Sequence, residues 1–200
     1  MIKRLREGRL EIRHNAGFPF RSRAMSSRFP PVKAPAFDTR HFRLALSQFA
    51  TGVTIITTRL DNGKFLGLTA SSFNSVSLTP PLVLWSLSTH ANSLPVFTDN
   101  SHYVINVLAG DQAALAERFA RRNENRFEGV DYELSPTGLP VLKGVAAWFE
   151  CHNRSRYPEG DHVIFVGEVE CCEVTPQPAL VFHNGAFVST TALPGPANQS

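Results

Sequence analysis

Val53-Thr-Ile-Ile-Thr-Thr-Arg59 is followed by Asp61-Asn-Gly-Lys64 and by a stretch from Phe65 to about Phe73, and these segments decide the fold class. Six of the seven residues in the first segment are β-branched, which favours a strand because branched side chains pack well on a pleated surface. Asn-Gly tolerates the positive φ angles of tight turns, so the chain returns along a second strand. The stretch therefore predicts an antiparallel β-hairpin.

Most of the remaining apolar segments also predict strands. Five more are expected, at residues 82–88, 103–108, 145–154, 162–174 and 179–188. Segment 82–88 is apolar almost throughout, which indicates a strand buried on both faces. Two clear helices are predicted, one over about residues 39–50 with Asp38 as its N-cap, and one that begins at Asp111 and ends near Arg122. Because strands and short connections dominate, the pattern favours a mainly β fold, an antiparallel barrel with flanking helices.

Charge is distributed unevenly along the 200 residues, whose formal net charge is +3. Residues 1–36 contain nine basic and two acidic residues, a net charge of +7, together with prolines that would interrupt a helix. The rest of the chain carries a net charge of −4. We therefore expect a basic, disordered arm over residues 1–36, one folded domain over residues 37–191 and a frayed tail over residues 192–200.

The composition of the basic arm is compatible with several roles. Its charge suits an anionic partner such as nucleic acid, and its arginine content is similar to that of a transit peptide. It could equally be solvated chain with no partner, and translation from Met25 would remove most of it. Because the alternatives without a partner explain the composition as well, a nucleic-acid partner is not expected.

Apolar content and cysteine usage limit the class of protein. No stretch approaches the roughly 18 uninterrupted apolar residues of a membrane helix, so no membrane association is expected. The three cysteines, Cys151, Cys171 and Cys172, form no disulfide framework, which indicates a reducing compartment, the cytoplasm. Adjacent residues of a strand point to opposite faces, so Cys171 and Cys172 are not expected to bind a metal ion. Packing within a strand, or a vicinal redox disulfide, are their remaining roles.

Gly67-Leu-Thr-Ala-Ser-Ser-Phe73 is the segment with the most chemical information. Small side chains let a flat ligand approach the backbone, and hydroxyl groups and free amides can bind heteroatoms along the edge of a ring. A polar turn without a ligand would have the same composition. The sequence contains no Gly-rich dinucleotide fingerprint, no phosphate-binding loop and no Gly-x-Ser-x-Gly motif, so any nucleotide cofactor must be held in another way.

Six short segments follow one another in a characteristic order. They are Ala50-Thr-Gly-Val-Thr-Ile-Ile-Thr-Thr58, the segment 67–73, Ser77-Leu-Thr-Pro-Pro-Leu-Val-Leu84, Ser88 with Asn92-Ser93, Val104-Ile-Asn-Val-Leu108, and Gly160-Asp-His162 with Gly167. This order resembles the flavin reductase-like family over about residues 38–190. The resemblance implies an FMN-binding split barrel that assembles as a homodimer. It also implies NAD(P)H-dependent reduction of FMN or FAD, with the reduced flavin passed to a separate monooxygenase.

The resemblance implies a flavin-binding role for eight residues. They are Thr69, Ala70, Ser71, Ser72, Ser88, Asn92, Ser93 and Asn106. The first four would contact the flavin ring, and the polar groups of Ser88, Asn92 and Ser93 would bind its phosphate at the start of a short helical turn. Without a ligand, the same Asn and Ser residues would cap that turn, and Asn106 would be a hydrogen-bonded core amide.

The resemblance also implies a nicotinamide site with catalytic roles for His162 and Asp161. His162 opens a strand and would orient the nicotinamide or its carboxamide, while Asp161 would fix the loop or the imidazole tautomer. Gly160 would let the loop approach the ligand. The family often has a second glycine where this chain has Glu159. The alternative is a histidine at the start of a strand with no catalytic role.

Two other functions would use the same segments. A flavin-binding module could store, deliver or sense flavin without turnover, and a flavoenzyme could reduce a non-flavin acceptor such as a quinone or a metal complex. The loop at residues 160–162 favours catalysis over simple binding. The sequence does not distinguish FMN from FAD, or NADH from NADPH, and it does not identify the monooxygenase.

Overall fold

The structure is a computed structural model that describes residues 33–121 and 125–190. The strands are β1 (Thr51–Gly52), β2 (Thr54–Arg59), β3 (Phe65–Ala70), β4 (Asn74–Leu78), β5 (Pro81–Ser88), β6 (His102–Val107), β7 (Tyr132–Leu134), β8 (Pro140–Leu142), β9 (Ala147–Glu159), β10 (His162–Val174), β11 (Leu180–His183) and β12 (Ala186–Ser189). The helices are α1 (Thr39–Ser47), α2 (Leu94–Asp99) and α3 (Ala113–Ala120). All of them belong to the second of the two units into which the chain divides, Asp38–Ser200. The predicted tail, and the predicted arm apart from residues 33–36, lie outside the described residues.

Antiparallel pairing joins seven strands into the main sheet, in the order β3-β2-β6-β9-β10-β5-β4. β9 and β10 form a long hairpin, and β10 pairs on its other side with β5, which precedes it by many residues. A three-stranded sheet, β1-β11-β12, and a two-stranded sheet, β7-β8, complete the described strands. The prediction of a mainly β, antiparallel fold with flanking helices is therefore confirmed.

Aromatic side chains fill the core on one side of the main sheet. Trp85 of β5 stacks on Phe165 of β10 with ring centroids 4.7 Å apart, and it makes edge contacts with Phe97 of α2 and Tyr103 of β6. All four side chains are fully buried. Burial of a Phe side chain is worth roughly 1.5–3 kcal/mol, so this cluster holds β5, β6, β10 and α2 together.

A second apolar cluster lies on the opposite face of β2 and beneath α3. Successive residues of β2 divide between the two clusters, because side chains alternate along a strand: Ile56 packs with Trp85, and Ile55 packs with Phe119 of α3. Gly67 of β3 lies under α3, where an added Cβ would be 2.6 Å from the Phe119 ring. The absence of a side chain at this position therefore lets α3 lie close to the sheet.

The predicted hairpin and the first helix are confirmed. Gly63 has a φ of +81° in the turn between β2 and β3, and the Gly63 N–H donates to Leu60 O. Asp38 accepts a hydrogen bond from the His41 N–H and so caps α1, as expected. The helix ends at Ser47 and not near residue 50, because the Gln48 N–H donates to the Ala45 O, three residues back, in a turn tighter than that of an α-helix.

Two predictions about individual elements were wrong. β5 is buried on one face only: Val83, Trp85 and Leu87 are buried and the alternate residues are half-buried, because side chains alternate along a strand and these three pack in the aromatic core. The N-cap position of α3 is Gln112 and not Asp111. The Gln112 side chain makes no capping bond to the helix, because it accepts from the Ala109 N–H and donates to Lys143 O. The short strands β4, β7 and β8 were not predicted.

The described residues contain no disulfide, metal cluster or membrane-spanning helix. All three cysteines are free thiols, with Cys151 buried and Cys172 exposed. Within residues 33–121 and 125–190, no group of three or more His, Cys, Asp or Glu side chains is arranged to hold a metal ion. No helix in the same part of the chain is long and apolar enough to cross a membrane.

Candidate functional site

The turn between β9 and β10 contains the histidine predicted to act in catalysis. Gly160 has a φ of +58°, a conformation that L side chains rarely adopt, so the turn requires glycine there. Asp161 and His162 follow, and the His162 Nδ1 lies 2.7 Å from the Asp161 Oδ1. Both side chains are open to solvent. The imidazole of His162 is therefore oriented by its neighbour and accessible to a ligand.

Electrostatics at this turn favour a charged Asp161. The hydrogen bond from His162 and the attraction to the same ring lower the pKa of the Asp161 carboxyl below its ordinary value. Because the carboxylate accepts at Nδ1, a neutral His162 carries its proton on Nδ1 and presents the Nε2 lone pair as an acceptor. This tautomer can bind an N–H group of a ligand.

The same turn is hydrogen-bonded to the end of β5. His162 lies directly opposite Ser88 in the pairing of β10 with β5. Thr89 donates to the Asp161 O from its backbone N–H at 2.9 Å and from its Oγ1 at 3.1 Å. The structure thus brings two of the predicted segments, around Ser88 and around His162, into direct contact.

The four residues of the predicted flavin segment point in different directions. Thr69 is half-buried, and its hydroxyl donates to Ala116 O of α3 at 2.6 Å, whereas Ala70 is buried in the aromatic core. Ser71 is exposed, immediately beyond the end of β3. Ser72 is half-buried, and its hydroxyl interacts with both backbone groups of Ser86 on β5. Of the four side chains, only that of Ser71 extends into solvent.

The predicted phosphate segment lies between β5 and α2. The Ser88 hydroxyl accepts from the His90 N–H at 3.3 Å, and Asn92 is exposed. Ser93 occupies the N-cap position of α2 and makes no capping hydrogen bond with its side chain. Its hydroxyl is thus not committed to the helix, and the short helical turn expected through Phe97 is present as α2.

Asn106 lies apart from these residues, in the interior. It is fully buried on β6, and its amide donates to Ile55 O and Thr57 Oγ1 while its Oδ1 accepts from the Leu142 N–H at 2.8 Å. Both donor hydrogens and one acceptor site of the amide are therefore used within the protein. This is the arrangement of a hydrogen-bonded core amide, and it joins β2, β6 and β8.

Two clefts of the described surface lie elsewhere. One of about 520 Å³ is bordered by the end of β2, the start of β6 and residues Thr137 and Leu139, and one of about 490 Å³ lies between α1 and the turn at Asn184. Neither is lined by a residue that the sequence predicted to bind flavin or nicotinamide. Of the predicted residues, Ser71, Asn92, Asp161 and His162 are exposed and lie outside these two clefts, on an open surface where a flat ligand could bind.

A comparison with known protein families agrees with this arrangement. A family model described as a flavin reductase like domain matches residues 46–191, which include every residue of the candidate site. The chain belongs to the flavin reductase-like family. Membership confirms the resemblance found in the sequence, and solved members of the family share the split barrel of antiparallel strands.

Individual members of the flavin reductase-like family align with most of the chain. It is 43% identical over 150 residues to an FMN reductase (NADH), SmoA, of Agrobacterium fabrum, covering 75% of this chain and 85% of that protein. It is 38% identical to the reductase subunit HsaB of a flavin-dependent monooxygenase of Rhodococcus jostii, covering 78% and 80%. The NADH:FAD oxidoreductase SgcE6 of Streptomyces globisporus, solved in complex with NAD and FAD fragments, superposes with a TM-score of 0.73 at 33% identity, covering 80% and 96%.

Two residues of the site were not predicted from the sequence. Thr89 holds the turn at Asp161, and Ser86 binds the Ser72 hydroxyl. Both belong to the run Ser86-Leu-Ser-Thr89, in which hydroxyl residues interrupt an apolar strand. The three hydroxyl groups could have indicated a site at this position, because buried hydroxyl groups need hydrogen-bond partners and are unusual at the end of an apolar strand.

Proposed function

We propose that this protein is an NAD(P)H-dependent flavin reductase that transfers a hydride to FMN or FAD and supplies the reduced flavin to a separate monooxygenase. The observation that carries the proposal is the contact between the turn at Asp161 and His162 and the end of β5 at Ser88 and Thr89. This contact supports a site in which a nicotinamide and a flavin meet. Family membership and the activities named for its relatives point in the same direction.

The donors available at this face fit a flavin. Neutral hydroxyl and amide groups at Ser71, Ser88, Asn92 and Ser93 are the groups that bind ring carbonyls and phosphate oxygens without a Gly-rich loop. A bound flavin would supply the ring that accepts the hydride. Ser71 would bind the ring edge, and Ser88, Asn92 and Ser93 would bind the phosphate. Asn106 acts from the core, where it holds the strands beneath the site.

His162 is the proposed catalytic residue, and Asp161 is its positioning residue. With Nδ1 bound to Asp161, the Nε2 of His162 can accept a hydrogen bond from the carboxamide N–H of the nicotinamide. Such a contact orients the ring for hydride transfer, which needs no general acid at carbon. The positive φ at residue 160 requires glycine, so this position of the turn has no side chain that would restrict access to His162.

Steady-state oxidation of NADH and NADPH at 340 nm, each with FMN, FAD and riboflavin, tests the proposal. We expect oxidation by one nucleotide at least, strongly stimulated by added flavin. No stimulation by any flavin with either nucleotide would overturn the proposal. Tight retention of flavin without nucleotide oxidation would favour a storage or delivery module, and turnover of a quinone or metal complex without flavin release would favour the alternative flavoenzyme.

We also propose that the protein is a homodimer. Large apolar side chains lie on its surface, among them Phe49 beyond α1, 74% exposed, and Leu78 of β4, 93% exposed. A second copy would remove them from water and would also enclose the open face that carries Ser71 and His162. Light scattering after gel filtration should give twice the chain mass. A monomer at micromolar concentration would contradict this.

The free thiols support a reducing compartment, which we propose is the cytoplasm. Cys172 is exposed and Cys171 is half-buried, and the three cysteines of the sequence, two of them adjacent, do not make a disulfide framework. Exposed vicinal thiols persist where the cell keeps thiols reduced. Fractionation of cells that produce the protein should recover it with cytoplasmic markers, and recovery in an oxidising compartment would contradict the assignment.

A further inference from the structure

The Ser72 hydroxyl makes two hydrogen bonds to one residue of β5. It accepts from the Ser86 N–H at 2.9 Å and donates to the Ser86 O at 3.2 Å. Both groups of Ser86 belong to the backbone of β5, and Ser86 is half-buried. A backbone N–H and C=O at such a depth need partners, so the hydroxyl takes the place of a neighbouring strand at this position.

No backbone ladder joins β3 to β5 among the strands that the structure describes. β3 is one edge strand of the main sheet, and β5 lies five positions away, next to the other edge strand. Ser72 lies two residues after the end of β3 and two before the start of β4, and its contact with Ser86 continues the β4–β5 register, in which Asn74 lies opposite Leu84. The side chain thus extends the β4–β5 pairing to Ser86, at the point where the predicted flavin segment ends.

Ser86 lies next to the other half of the site. It is two residues before Ser88, which is opposite His162, and its own partner on β10 is Ile164. Residues two apart on a strand lie on the same face, so Ser86, Ser88 and His162 belong to one face of the β5–β10 pair. The position of the Ser72 segment is therefore fixed relative to the turn that carries His162.

We infer that Ser72 is a positioning residue that sets the distance between the flavin segment and the nicotinamide turn, and that its hydroxyl does not contact flavin. This inference rests on the proposed reductase function. The hydroxyl uses its one hydrogen toward Ser86 O and one of its two lone pairs toward the Ser86 N–H, so it has no hydrogen left to donate to a ring heteroatom of flavin. Ser71, one residue earlier and exposed, is left as the hydroxyl that reaches the ring.

Ser72→Ala tests the inference with two readouts. Without ligand, hydrogen exchange of the Ser86 amide should become about tenfold faster, because its acceptor is lost. In steady-state assays the KM values for flavin and for nucleotide should both rise, by about three- to tenfold, which corresponds to one hydrogen bond. Ser71→Ala should raise the KM for flavin alone and leave exchange at Ser86 unchanged.

Further variants keep the inference falsifiable. Ser72→Thr retains the hydroxyl and should keep exchange of the Ser86 amide slow. Ser72→Cys preserves the size of the side chain but forms weaker hydrogen bonds, so its exchange rate should be intermediate. The cysteine variant also provides a test if the alanine variant folds poorly. Ser75→Ala, an exposed serine of β4, is the matched control and should change neither readout. Unchanged exchange at Ser86 in Ser72→Ala, or a rise in the KM for flavin alone, would overturn the inference. If the wild type oxidises no nucleotide, the proposed function fails, while the exchange measurement still decides whether Ser72 holds β5.

Discussion

Trp85 and Phe165 lie opposite each other on β5 and β10, and their rings stack with an interplanar angle of 13°. Three positions further along the same two strands, Ser88 lies opposite His162. The register that stacks the buried rings is thus the register that brings the candidate site together. A one-residue slip would move every side chain of the strand to the other face, so the aromatic pair excludes it.

Replacing Phe165 with Ala should therefore lower both stability and activity. We expect a loss of about 3–5 kcal/mol in the free energy of unfolding, since a fully buried aromatic ring is removed from a packed core. Urea denaturation followed by tryptophan fluorescence measures it. Val188→Ala, at a partly exposed position of β12, is the control and should change stability by less than about 1 kcal/mol. Equal effects of the two variants would contradict the role of the stack.

Gly167 of β10 is the position where an added methyl group should be most harmful. A Cβ there would collide with the Tyr103 hydroxyl and would lie 2.9 Å from the Cys151 Cβ, and both neighbours are buried. Gly167→Ala should destabilise the protein by about 1–3 kcal/mol. Gly52→Ala, where an added Cβ would meet nothing within 4 Å, is the matched control. Thermal denaturation of both variants compares them, and a wild-type midpoint for Gly167→Ala would show that the core can adjust.

His162→Ala should impair the use of nucleotide more than the binding of flavin. On the proposed function, we expect the KM for NADH or NADPH to rise about tenfold with little change in the dissociation constant for flavin, because the contact proposed for Nε2 is to the nicotinamide and not to the flavin. Equal losses in both would exclude the assigned role. Stopped-flow measurement of the reductive step with flavin saturating separates the two effects.

The same variant should raise the pKa of Asp161. In the wild type, the hydrogen bond from His162 and its attraction lower that pKa, so the carboxylate stays ionised to a lower pH than an isolated aspartate. The contribution of the pair to stability is present above the ordinary aspartate pKa and is lost as the pH falls through the lowered value. An NMR titration of the Asp161 carboxyl in both proteins should show the lower pKa in the wild type. The same pKa in both would mean that the pair does not form in solution.

Stability should fall at alkaline pH because of two buried groups. Burial raises the pKa of Tyr103, and a negative charge on Cys151 would raise it further. Burial also raises the pKa of Cys151, and the charge of Glu150 acts in the same direction. Their neutral forms are favoured in the folded state. Stability is thus complete below about pH 8.5, the ordinary cysteine pKa, and declines above it as the unfolded chain releases protons first.

Tyr103→Phe separates the tyrosine from the cysteine. The Tyr103 hydroxyl has no hydrogen-bond partner in the described part of the chain, so its removal should change stability at pH 7.5 by no more than about 1 kcal/mol. Above about pH 10, the ordinary tyrosine pKa, the variant should lose stability less steeply than the wild type. Parallel pH profiles of the free energy of unfolding would contradict this.

The sequence was sufficient for the strands whose pattern is local. The β-branched run before the Asn-Gly turn and the alternation after His162 needed only neighbouring residues. The short strands β4, β7 and β8 have no such pattern, and they exist because longer strands pair with them or pack beside them. Family resemblance identified the regions of the site, since it depends on the order of segments and not on their contacts.

The directions of the site side chains could not be predicted in the same way. Thr69, Ser71 and Ser72 are similar residues in one short segment, yet one binds α3, one is exposed and one binds β5. Their partners are distant along the chain: Thr69 is 47 residues from Ala116 and Ser72 is 14 residues from Ser86. A hydroxyl group suits a ligand and a backbone carbonyl equally well, so only the folded arrangement decides which of them it meets.

The pairing of β5 with β10 also determines when the protein acquires its site. Thr89 and Asp161 are 72 residues apart in the sequence. The hydrogen bonds between the end of β5 and the turn at Asp161 can therefore form only after that length of chain has been synthesised and has closed a large loop. Contacts of high sequence separation form slowly, so folding should be limited by this closure and not by the local hairpins. During translation, β5 is therefore an apolar strand that has β4 beside it but lacks β10, and its free edge exposes the nascent chain to aggregation until β10 leaves the ribosome.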